Sequence, residues 1–520
     1  MSTAADILSS APARFRPERA PASHKIFHFL ITGDEVLNWS LELHNGQCKL
    51  HHELLGSPDC IVKTSAKTYI ELETGQANPQ LALMMGKIKV SNLSEMMQFA
   101  KCFRKFDPSY LHATGVTSFT VKKRQPRSGP LSGVRILDFT RLLPGPLATM
   151  MLGGMGAEII KVEDPDAPDY VRTYEPMLGN NSAFYYALNA DKRSLAVNYL
   201  KEEGRAIILQ LLSSCDVLIE QFRPGVMKSF GLDYDTLQEL YPRLIYVSLT
   251  GYGQEGAWAQ AAGHDLNYIA RAGLLGMIAT VEQPVIPAVQ LADVAGGSYT
   301  AMNAILAALF QRHQTGKGDF IDVAMADSVL PILALPFAQY QATGKLTAAH
   351  DFQLAGSLAN YQVYRCADGR FLAIGALEPK FWRIICTQLN RLDWADAILE
   401  GPEKQEIIKN ELAAILAKES LQHWLDVLGG ADACVSAVQQ LNEVASDPGF
   451  EQRGVFSNQT IHGQAFKTIQ QPIRFKSTAR EVQQIAPELG EDTAAILMEL
   501  GYNEAQLLDL AKKRIVTYQS

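Results

Sequence analysis

The chain has 520 residues, of which 47% are hydrophobic and 20% are charged, a composition typical of soluble globular proteins. The formal net charge of −8 disfavours nucleic-acid binding, which needs a basic surface. The seven cysteines contain no Cys-x-x-Cys pair and no stretch is apolar enough for a signal peptide, so we expect free thiols, a cytoplasmic location and no membrane span.

The first part of the chain predicts a small α+β domain. Residues 1–24 are rich in Ala, Ser and Pro and are expected to be loose. Alternating hydrophobicity and the Asn45-Gly46 turn predict an antiparallel meander of strands. The predicted strands are 25–31, 39–43, 48–52, 60–64 and 88–90, and the predicted helices are 66–74, 78–85 and 93–106.

Three motifs in this part carry a family resemblance: Phe15-Arg16-Pro17-Glu18, Gly75-Gln76-Ala77-Asn78-Pro79 and the run 85–91. They resemble the sterol-carrier-protein lipid-binding domain over residues 12–110. The resemblance implies an apolar tunnel and a lipid or sterol ligand. We expect the tunnel lining to include Met84, Met85, Met96, Met97, Phe99 and Phe103, since methionine adapts to varied ligands. The alternative is that these side chains only fill the core.

Residues 111–130 contain Pro, Gly and Lys and predict a linker. A strand at 134–139, a helix through Met151 and a strand at 157–163 then form a βαβ unit, which predicts a parallel sheet. No G-x-G-x-x-G stands between these strands, which disfavours a dinucleotide site. Further strands are predicted at 216–220, 244–248, 320–323 and 371–374.

Three residues are candidates for chemistry. His264, in Gly263-His264-Asp265, titrates near neutrality and suits proton transfer. Asp293 stands just before an apolar helix predicted for 298–310, and Glu378 follows a strand. Taken singly, each has a plain structural reading: a packed histidine, a helix N-cap and a helix-start acid.

The order of the motifs is more specific than any one of them. Arg223-Pro224-Gly225, the histidine and aspartate motifs, Gly316-Lys317-Gly318 and Gly375-Ala376-Leu377-Glu378-Pro379 together resemble family III CoA-transferases, the carnitine dehydratase and bile-acid-inducible family. The resemblance runs from residue 131 to the end. It implies an α/β fold with a Rossmann-like large domain at 131–335, a small domain at 336–450, a return to the large domain at 451–520, and an interlocked homodimer.

Two reactions share this architecture in the family. The histidine motif resembles alpha-methylacyl-CoA racemase, which implies that His264 and Asp293 racemise 2-methylacyl-CoA by acid–base catalysis, with Glu378 orienting His264. Backbone N–H groups of Gly296 and Gly297 are candidate donors to the enolate oxygen. The alternative is a CoA-transferase that uses Asp293 as a covalent nucleophile. A third reading is a non-enzymatic lipid or acyl-CoA carrier.

The resemblance also implies a coenzyme A site, with CoA entering as part of the substrate and no tightly bound cofactor or metal. Lys201 and Arg223 would lie near the adenosine end, Val197 and Asn198 would give backbone contacts, and Tyr268 would complete the site. Glu163-Asp164 stands where racemases place an arginine, and residues 165–193 form a longer segment that resembles transferases.

Overall fold

The computed structural model describes residues 3–21, 23–33, 36–77, 79–106, 128–397, 400–478, 481 and 483–518. Most of the expected linker, 111–127, and the end of the expected domain at 107–110 lie outside the described residues. The chain forms two compact units. The first holds the described residues up to 106 together with 502–514, and the second holds 128–501 together with 515–517.

The first unit is built on a five-stranded sheet of order β3-β2-β1-β4-β5. Its elements are α1 (Ala4–Ser9), α2 (Ala11–Arg14), β1 (Lys25–Thr32), β2 (Leu37–His44), β3 (Gln47–His51), β4 (Cys60–Ser65), α3 (Ala66–Glu73), α4 (Pro79–Met84), β5 (Ile88–Val90) and α5 (Leu93–Lys101). The predicted strands are confirmed, but the meander ends at β3, because β4 pairs parallel with β1. Alternation fixes which face a residue takes and carries no information on pairing direction.

The described residues 3–21 contain short helices, contrary to the expectation that residues 1–24 are loose. Thr3 and Asp6 cap α1 reciprocally, each side chain accepting the other's backbone N–H. Ala4, Ile7 and Leu8 are fully buried in the core of the first unit. Composition suggested a loose tail, whereas the cap and the apolar residues one turn apart stabilise a short helix.

The predicted lining of the apolar tunnel in the first unit is wrong for three of its six residues, which are exposed. Helix α5 packs Phe99 against Phe27, at a centroid distance of 4.5 Å, and this places Met97 on the opposite side of the helix, 58% exposed. Met84 and Met85 are exposed as well. Since a helix turns about 100° per residue, positions two apart point to different sides. Met96 and Phe103 pack against the core.

The second unit contains a seven-stranded sheet of order β13-β12-β11-β6-β7-β10-β19, parallel except for β19. Its elements through β13 are β6 (Arg135–Asp138), α6 (Pro144–Gly153), β7 (Glu158–Glu163), β8 (Met177–Leu178), β9 (Asn181–Ser182), α7 (Ala183–Leu188), β10 (Lys192–Val197), α8 (Glu202–Leu212), β11 (Val217–Glu220), α9 (Val226–Ser229), α10 (Tyr234–Leu240), β12 (Ile245–Thr250), α11 (Asp265–Arg271), a π-helix (Ala292–Tyr299), α12 (Thr300–Thr315) and β13 (Phe320–Ala324).

The strand order confirms the expected Rossmann-like sheet. The chain proceeds outward from β6 through β7 to β10, and then from β11 outward to β13, so the direction reverses between β6 and β11. Parallel strands are buried on both faces, and β11 and β12 are buried along their whole length. A crevice for ligands is expected where the carboxyl ends of β6 and β11 meet.

The chain then forms a smaller α/β part and returns to the sheet. The remaining elements of this unit are α13 (Met325–Ser328), α14 (Ala334–Thr343), β14 (Tyr361–Arg365), β15 (Phe371–Gly375), α15 (Pro379–Gln388), α16 (Pro402–Leu416), α17 (Leu421–Leu428), β16 (Val435–Ala437), α18 (Leu441–Val444), α19 (Pro448–Gln452), β17 (Phe456–Ile461), β18 (Gln464–Ile469), α20 (Thr493–Glu499) and β19 (Val516–Thr517). Helix α21 (Glu504–Lys512) belongs to the first unit. The strand predicted at 371–374 is present, in the antiparallel sheet β14-β15-β16. At the end of the chain, Val516 pairs with Val197 of β10.

All seven cysteines lie within the described residues and all are free thiols. In the described part of the chain, no helix combines the length and the apolarity that crossing a bilayer requires. The same residues contain no group of three or more His, Cys, Asp or Glu side chains placed to hold a metal ion.

Candidate active site

Asp293 lies in the first turn of the π-helix Ala292–Tyr299, which continues directly into α12. The sequence placed this carboxylate before a helix beginning at 298, so the helix starts about two turns earlier than predicted. A π-helix is rare and is frequently found at functional sites. The side chain is half-buried at the N-terminal end of the combined helix.

Asp265 ties the two candidate chemical residues together. Its Oδ1 atom accepts the backbone N–H groups of Ala292, at 2.6 Å, and Asp293, at 3.0 Å. These donors belong to the first turn of a helix and have no partner within the helix itself. Asp265 directly follows His264 in the chain and is hydrogen-bonded to the backbone of Asp293. It therefore connects the segments that carry the two candidates for proton transfer.

The electrostatic surroundings of Asp293 favour its neutral form. Burial and the nearby carboxylate of Asp265 raise the pKa of Asp293 to about 7. Among the described residues, no Lys or Arg forms an ion pair with it. A carboxyl group that titrates near neutrality exchanges protons in both directions at physiological pH.

His264 is exposed and is the N-cap residue of α11. Its backbone N–H donates to Oδ1 of Asn267 at 3.0 Å, which fixes the start of the helix. Tyr268, one turn on, is buried, and its hydroxyl donates to the carbonyl of Gly263 at 2.5 Å. Burial and the neighbouring Asp293 raise the pKa of Tyr268 to about 12, so this tyrosine stays protonated.

The glycines after Asp293 serve packing. A Cβ atom added at Gly296 would lie 2.7 Å from the carbonyl oxygen of Met325, and one at Gly297 would lie 2.8 Å from Cβ of Pro144. Both glycines are buried inside the π-helix, where backbone N–H groups point along the helix axis. The two glycines bring α6 and the segment that begins at Met325 close to the helix, and donation by their N–H groups to an enolate oxygen stays a prediction.

Glu378 is not joined to this cluster. It is exposed and precedes Pro379 at the start of α15, in the smaller α/β part of the second unit. No hydrogen bond or ion pair among the described residues links it to His264. The orienting role that the family resemblance implied for Glu378 therefore remains a prediction.

The segments that carry two of the expected coenzyme A residues, Lys201 and Arg223, meet at an arginine that sequence reasoning did not single out. The guanidinium of Arg141 lies 5.3 Å from the centroid of Phe222 and donates to the hydroxyl of Tyr199 at 3.4 Å. Phe222 precedes Arg223 and Tyr199 stands two residues before Lys201. Arg141 thus connects the two segments that carry these exposed cations, at the crevice between β6 and β11.

Val197 and Asn198 are more enclosed than expected. Val197 is fully buried in β10, and the backbone N–H of Asn198 donates to the carbonyl of Ile515 at 2.7 Å. The Asn198 side chain accepts the N–H of Leu200 at 3.2 Å. These contacts shape the turn that leads to Lys201. Binding of coenzyme A by the two residues stays a prediction.

A buried network of ion pairs connects strands β6, β7 and β10 of the large sheet. Lys192 donates to Asp138 at 3.0 Å, and Lys161 donates to Asp169 at 2.9 Å. All four side chains are fully excluded from solvent. Burial alone would raise the pKa of Asp138, but the Lys192 and Lys161 ammonium groups outweigh it and lower this pKa to about 2.

Glu163 belongs to the same network. Its carboxylate pairs with Arg172 at 2.6 Å, and both side chains are almost fully buried. The position where racemases carry an arginine is therefore occupied here by an internal ion pair. Arg172 also donates to the hydroxyl of Tyr185, so this pair fastens the longer segment 165–193 to the sheet.

Sequence reasoning quoted Asp265 within a motif but gave it no role, and it missed Arg141. A carboxylate directly after a candidate base is a usable signal, since an acid at a helix start can accept N–H groups. Arg141 stands three residues after strand β6, at the position where parallel sheets bind ligands.

Comparison with known proteins identifies the large unit. Residues 131–493 match the model of CoA-transferase family III, and residues 6–104 match that of the SCP-2 sterol transfer family. The chain belongs to CoA-transferase family III. Its N-terminal domain is of the sterol-carrier type.

Relatives within the family carry different activities. The chain is 34% identical to the mouse succinyl-CoA:glutarate CoA-transferase over 73% of its own length and 88% of that protein. It is 31% identical to the human alpha-methylacyl-CoA racemase over 74% of its length and 97% of that protein. A crystal structure of a CAIB/BAIF family protein from Brucella suis superposes with a TM-score of 0.64 at 30% identity, covering 72% of this chain and all of that one.

Proposed function

We propose that this family III protein is an acyl-CoA enzyme that racemises 2-methylacyl-CoA thioesters through His264 and Asp293. The observation that carries the proposal is the Asp293 carboxyl, whose pKa burial and Asp265 raise to about 7; Asp265, which directly follows His264, also accepts the backbone N–H of Asp293. Racemisation needs two groups that each give and take a proton. A nucleophilic carboxylate, in contrast, works best when it is fully ionised.

The reaction runs as two proton transfers. Neutral His264 removes the α-proton, which the thioester carbonyl makes acidic, and an enolate forms. Protonated Asp293 then delivers a proton to the other face of the α-carbon, which leaves the imidazolium and a carboxylate. In the opposite direction, the Asp293 carboxylate takes the proton and the imidazolium returns one.

Exchange of solvent deuterium tests this reaction. The protein is incubated in D2O with (2R)-2-methyldecanoyl-CoA, and deuterium at the α-carbon is followed by NMR together with loss of optical purity. We expect both signals in the wild type and neither in His264→Ala. Optical purity that stays constant in the wild type contradicts racemisation.

A CoA-transferase is the second candidate, and the 34% identity to the mouse glutarate transferase favours it. Here the Asp293 carboxylate attacks the thioester carbonyl and expels the CoA thiolate, giving a mixed anhydride. The thiolate attacks the Asp293 carbonyl, expels the donor carboxylate and leaves an aspartyl-CoA thioester. An acceptor carboxylate then attacks this thioester, and the same two exchanges in reverse give the new acyl-CoA and the free Asp293 carboxylate. Borohydride trapping of that thioester, with activity retained in His264→Ala, is the result that selects this candidate.

The coenzyme A site in this proposal lies at the β6/β11 crevice. Arg141, Lys201 and Arg223 supply positive charge for the phosphates, and Tyr199 and Phe222 supply aromatic faces beside them. Arg141→Ala is expected to raise KM for the thioester about tenfold with kcat within twofold. An unchanged KM removes Arg141 from the site.

We also propose a homodimer, supported by helix α14. None of its ten residues is buried, although Leu335, Phe337 and Tyr340 are large and apolar. A helix with an uncovered apolar face gains its stability from a partner surface. Light scattering coupled to size exclusion is expected to give twice the mass of the chain, and Phe337→Glu is expected to lower it to one chain.

For the N-terminal domain we propose binding of a lipid or an acyl chain. A cavity of about 240 Å3 is lined by the buried Phe27, Leu43 and Phe99, by the exposed Arg19 and Lys101, and by the ion pair of Lys25 and Glu95. An amphiphile with an anionic head group fits this distribution of apolar and cationic groups. A carrier without catalysis is the third candidate, and thioester turnover that is lost in Asp293→Asn excludes it.

A further inference from the structure

The carboxylate of Asp322 supports a turn near the candidate active site. Asp322 lies on β13, directly opposite Ser248 of β12, and its Oδ2 atom accepts the backbone N–H of Gln254 at 2.8 Å. The turn Gly251–Gln254 follows β12. Gly253 adopts a φ of +80°, and a Cβ added there would lie 3.2 Å from the same oxygen, so the backbone sits directly over the carboxylate.

The same turn presses against Tyr268. A Cβ added at Gly251 would lie 2.3 Å from Cε1 of Tyr268, closer than any side chain tolerates. The carbonyl of Gly251 accepts the N–H of Ala326 at 3.0 Å, which fixes the glycine from its other side. Tyr252 packs edge-on against Tyr268 at a centroid distance of 5.1 Å. The turn therefore determines where the buried ring lies.

Tyr268 in turn holds the residue before His264. Its hydroxyl donates to the carbonyl of Gly263 at 2.5 Å, and a Cβ added at Gly263 would lie 2.7 Å from the ring. A contiguous path of hydrogen bonds and close packing thus runs from Asp322 through the turn and the ring to the backbone of His264. All of its members lie in the second unit.

We propose that Asp322 is a positioning residue for His264, acting through the turn Gly251–Gln254 and Tyr268. It touches no reacting atom. Its carboxylate holds the turn so that the imidazole lies in reach of the thioester α-carbon. This inference rests on the proposed function, because it assigns the effect to the proton transfer at His264. A displacement of about 1 Å in a catalytic group can slow a reaction up to about 100-fold.

Kinetics of α-proton exchange on (2R)-2-methyldecanoyl-CoA test the proposal. Asp322→Ala removes the acceptor and is expected to lower kcat about tenfold with KM within twofold. Asp322→Asn keeps a carbonyl oxygen for the Gln254 N–H and is expected to retain at least half of kcat. Asp319→Ala is the matched control, because Asp319 stands three residues earlier and bonds Gln311, away from the turn. We expect wild-type kinetics for it.

A double-mutant cycle tests the path itself. If Asp322 acts through the tyrosine, the two substitutions disturb the same path. The kcat of the double variant, Tyr268→Phe with Asp322→Ala, is then at most about twofold below that of the slower single variant. Effects that multiply, or an Asp322→Ala variant with wild-type kcat, overturn the proposal. Should Asp322→Ala fail to fold, Gly253→Ala crowds the same contact and is expected to lower kcat in the same way.

A readout without substrate separates this inference from the proposed function. The imidazole resonance of His264, assigned by its loss in His264→Gln, is recorded by NMR. We expect Asp322→Ala to shift it and Asp319→Ala to leave it in place. A shifted resonance in a protein that exchanges no α-proton upholds the positioning role and refutes the racemase. If Asp322→Ala leaves the resonance unshifted and the wild type exchanges the α-proton, the positioning role is refuted and the racemase is upheld.

Discussion

On the β6, β7 and β10 side of the large sheet, the buried carboxylates of Asp138, Glu163 and Asp169 each contact a buried lysine or arginine. On the β11 to β13 side, Glu220 and Asp293 have no such cation among the described residues. Burial raises the pKa of Glu220 to about 7. Burial and the carboxylate of Asp265 together raise the pKa of Asp293 to about 7.

The contrast separates structural from chemical carboxylates within one sheet. A carboxylate that is paired with a buried cation stays ionised across the physiological range and fastens segments together. A buried carboxyl without a cation changes its protonation state near neutral pH, which suits proton transfer. The following experiments, ordered from the largest expected effect, test that division.

Asp293→Asn keeps the size of the side chain and removes its proton exchange. If Asp293 belongs to the chemical class, α-deuterium exchange falls at least about 10³-fold, in the range found for catalytic acid–base groups. Stopped exchange reactions analysed by mass spectrometry measure the loss. Retention of more than a tenth of the rate places Asp293 outside the chemistry.

Lys192→Met is expected to act on stability. It leaves Asp138 buried without its nearest cation, and breaking such a pair costs about 3–5 kcal/mol. Urea denaturation at pH 7 measures the change. The double variant Lys192→Met with Asp138→Leu removes both charges and is expected to recover part of that loss. A single variant as stable as the wild type contradicts the structural role.

The free energy of unfolding should change with pH in opposite directions for carboxylates that have a buried cation and for those that have none. The folded-state pKa of Asp293 is raised to about 7, so its contribution is fully present below its unfolded pKa and is lost as pH rises through 7. Because one pKa unit corresponds to about 1.4 kcal/mol, the rise from 3.8 to about 7 predicts that Asp293→Asn gains about 4 kcal/mol relative to wild type between pH 4 and pH 8. Paired urea denaturation curves at the two pH values measure this gain, and a pH-independent difference contradicts the shift.

Ser248→Ala gives the smallest expected effect. The Ser248 hydroxyl donates to Glu220, and this hydrogen bond favours the ionised carboxylate. Its loss is expected to cost about 1 kcal/mol at pH 8. At pH 5, where Glu220 is protonated, a smaller cost is expected. Thermal unfolding at both pH values checks it, and Ser446→Ala, at an exposed helix end, is the control.

Short motifs made the candidate chemical residues predictable, because Gly263-His264-Asp265 and Asp293 with its glycines depend on local sequence. The βαβ pattern likewise predicted the parallel sheet. The link from Asp265 to Asp293 spans 28 positions and the ion pairs of Lys192 and Glu163 depend on tertiary contact, so no periodicity encodes them. Met97 was misplaced because α5 is apolar on more than one side.

The π-helix at 292–299 has a consequence for how relatives are compared. Each residue of an α-helix adds about 100° of rotation, whereas a π turn accommodates an additional residue. A homologue one residue shorter between these positions can form a regular helix, and its acid would then point about 100° away from the histidine loop. The number of residues that a homologue has between positions 292 and 299 therefore indicates whether its acid points toward the histidine. The presence of the aspartate in an alignment does not show this by itself.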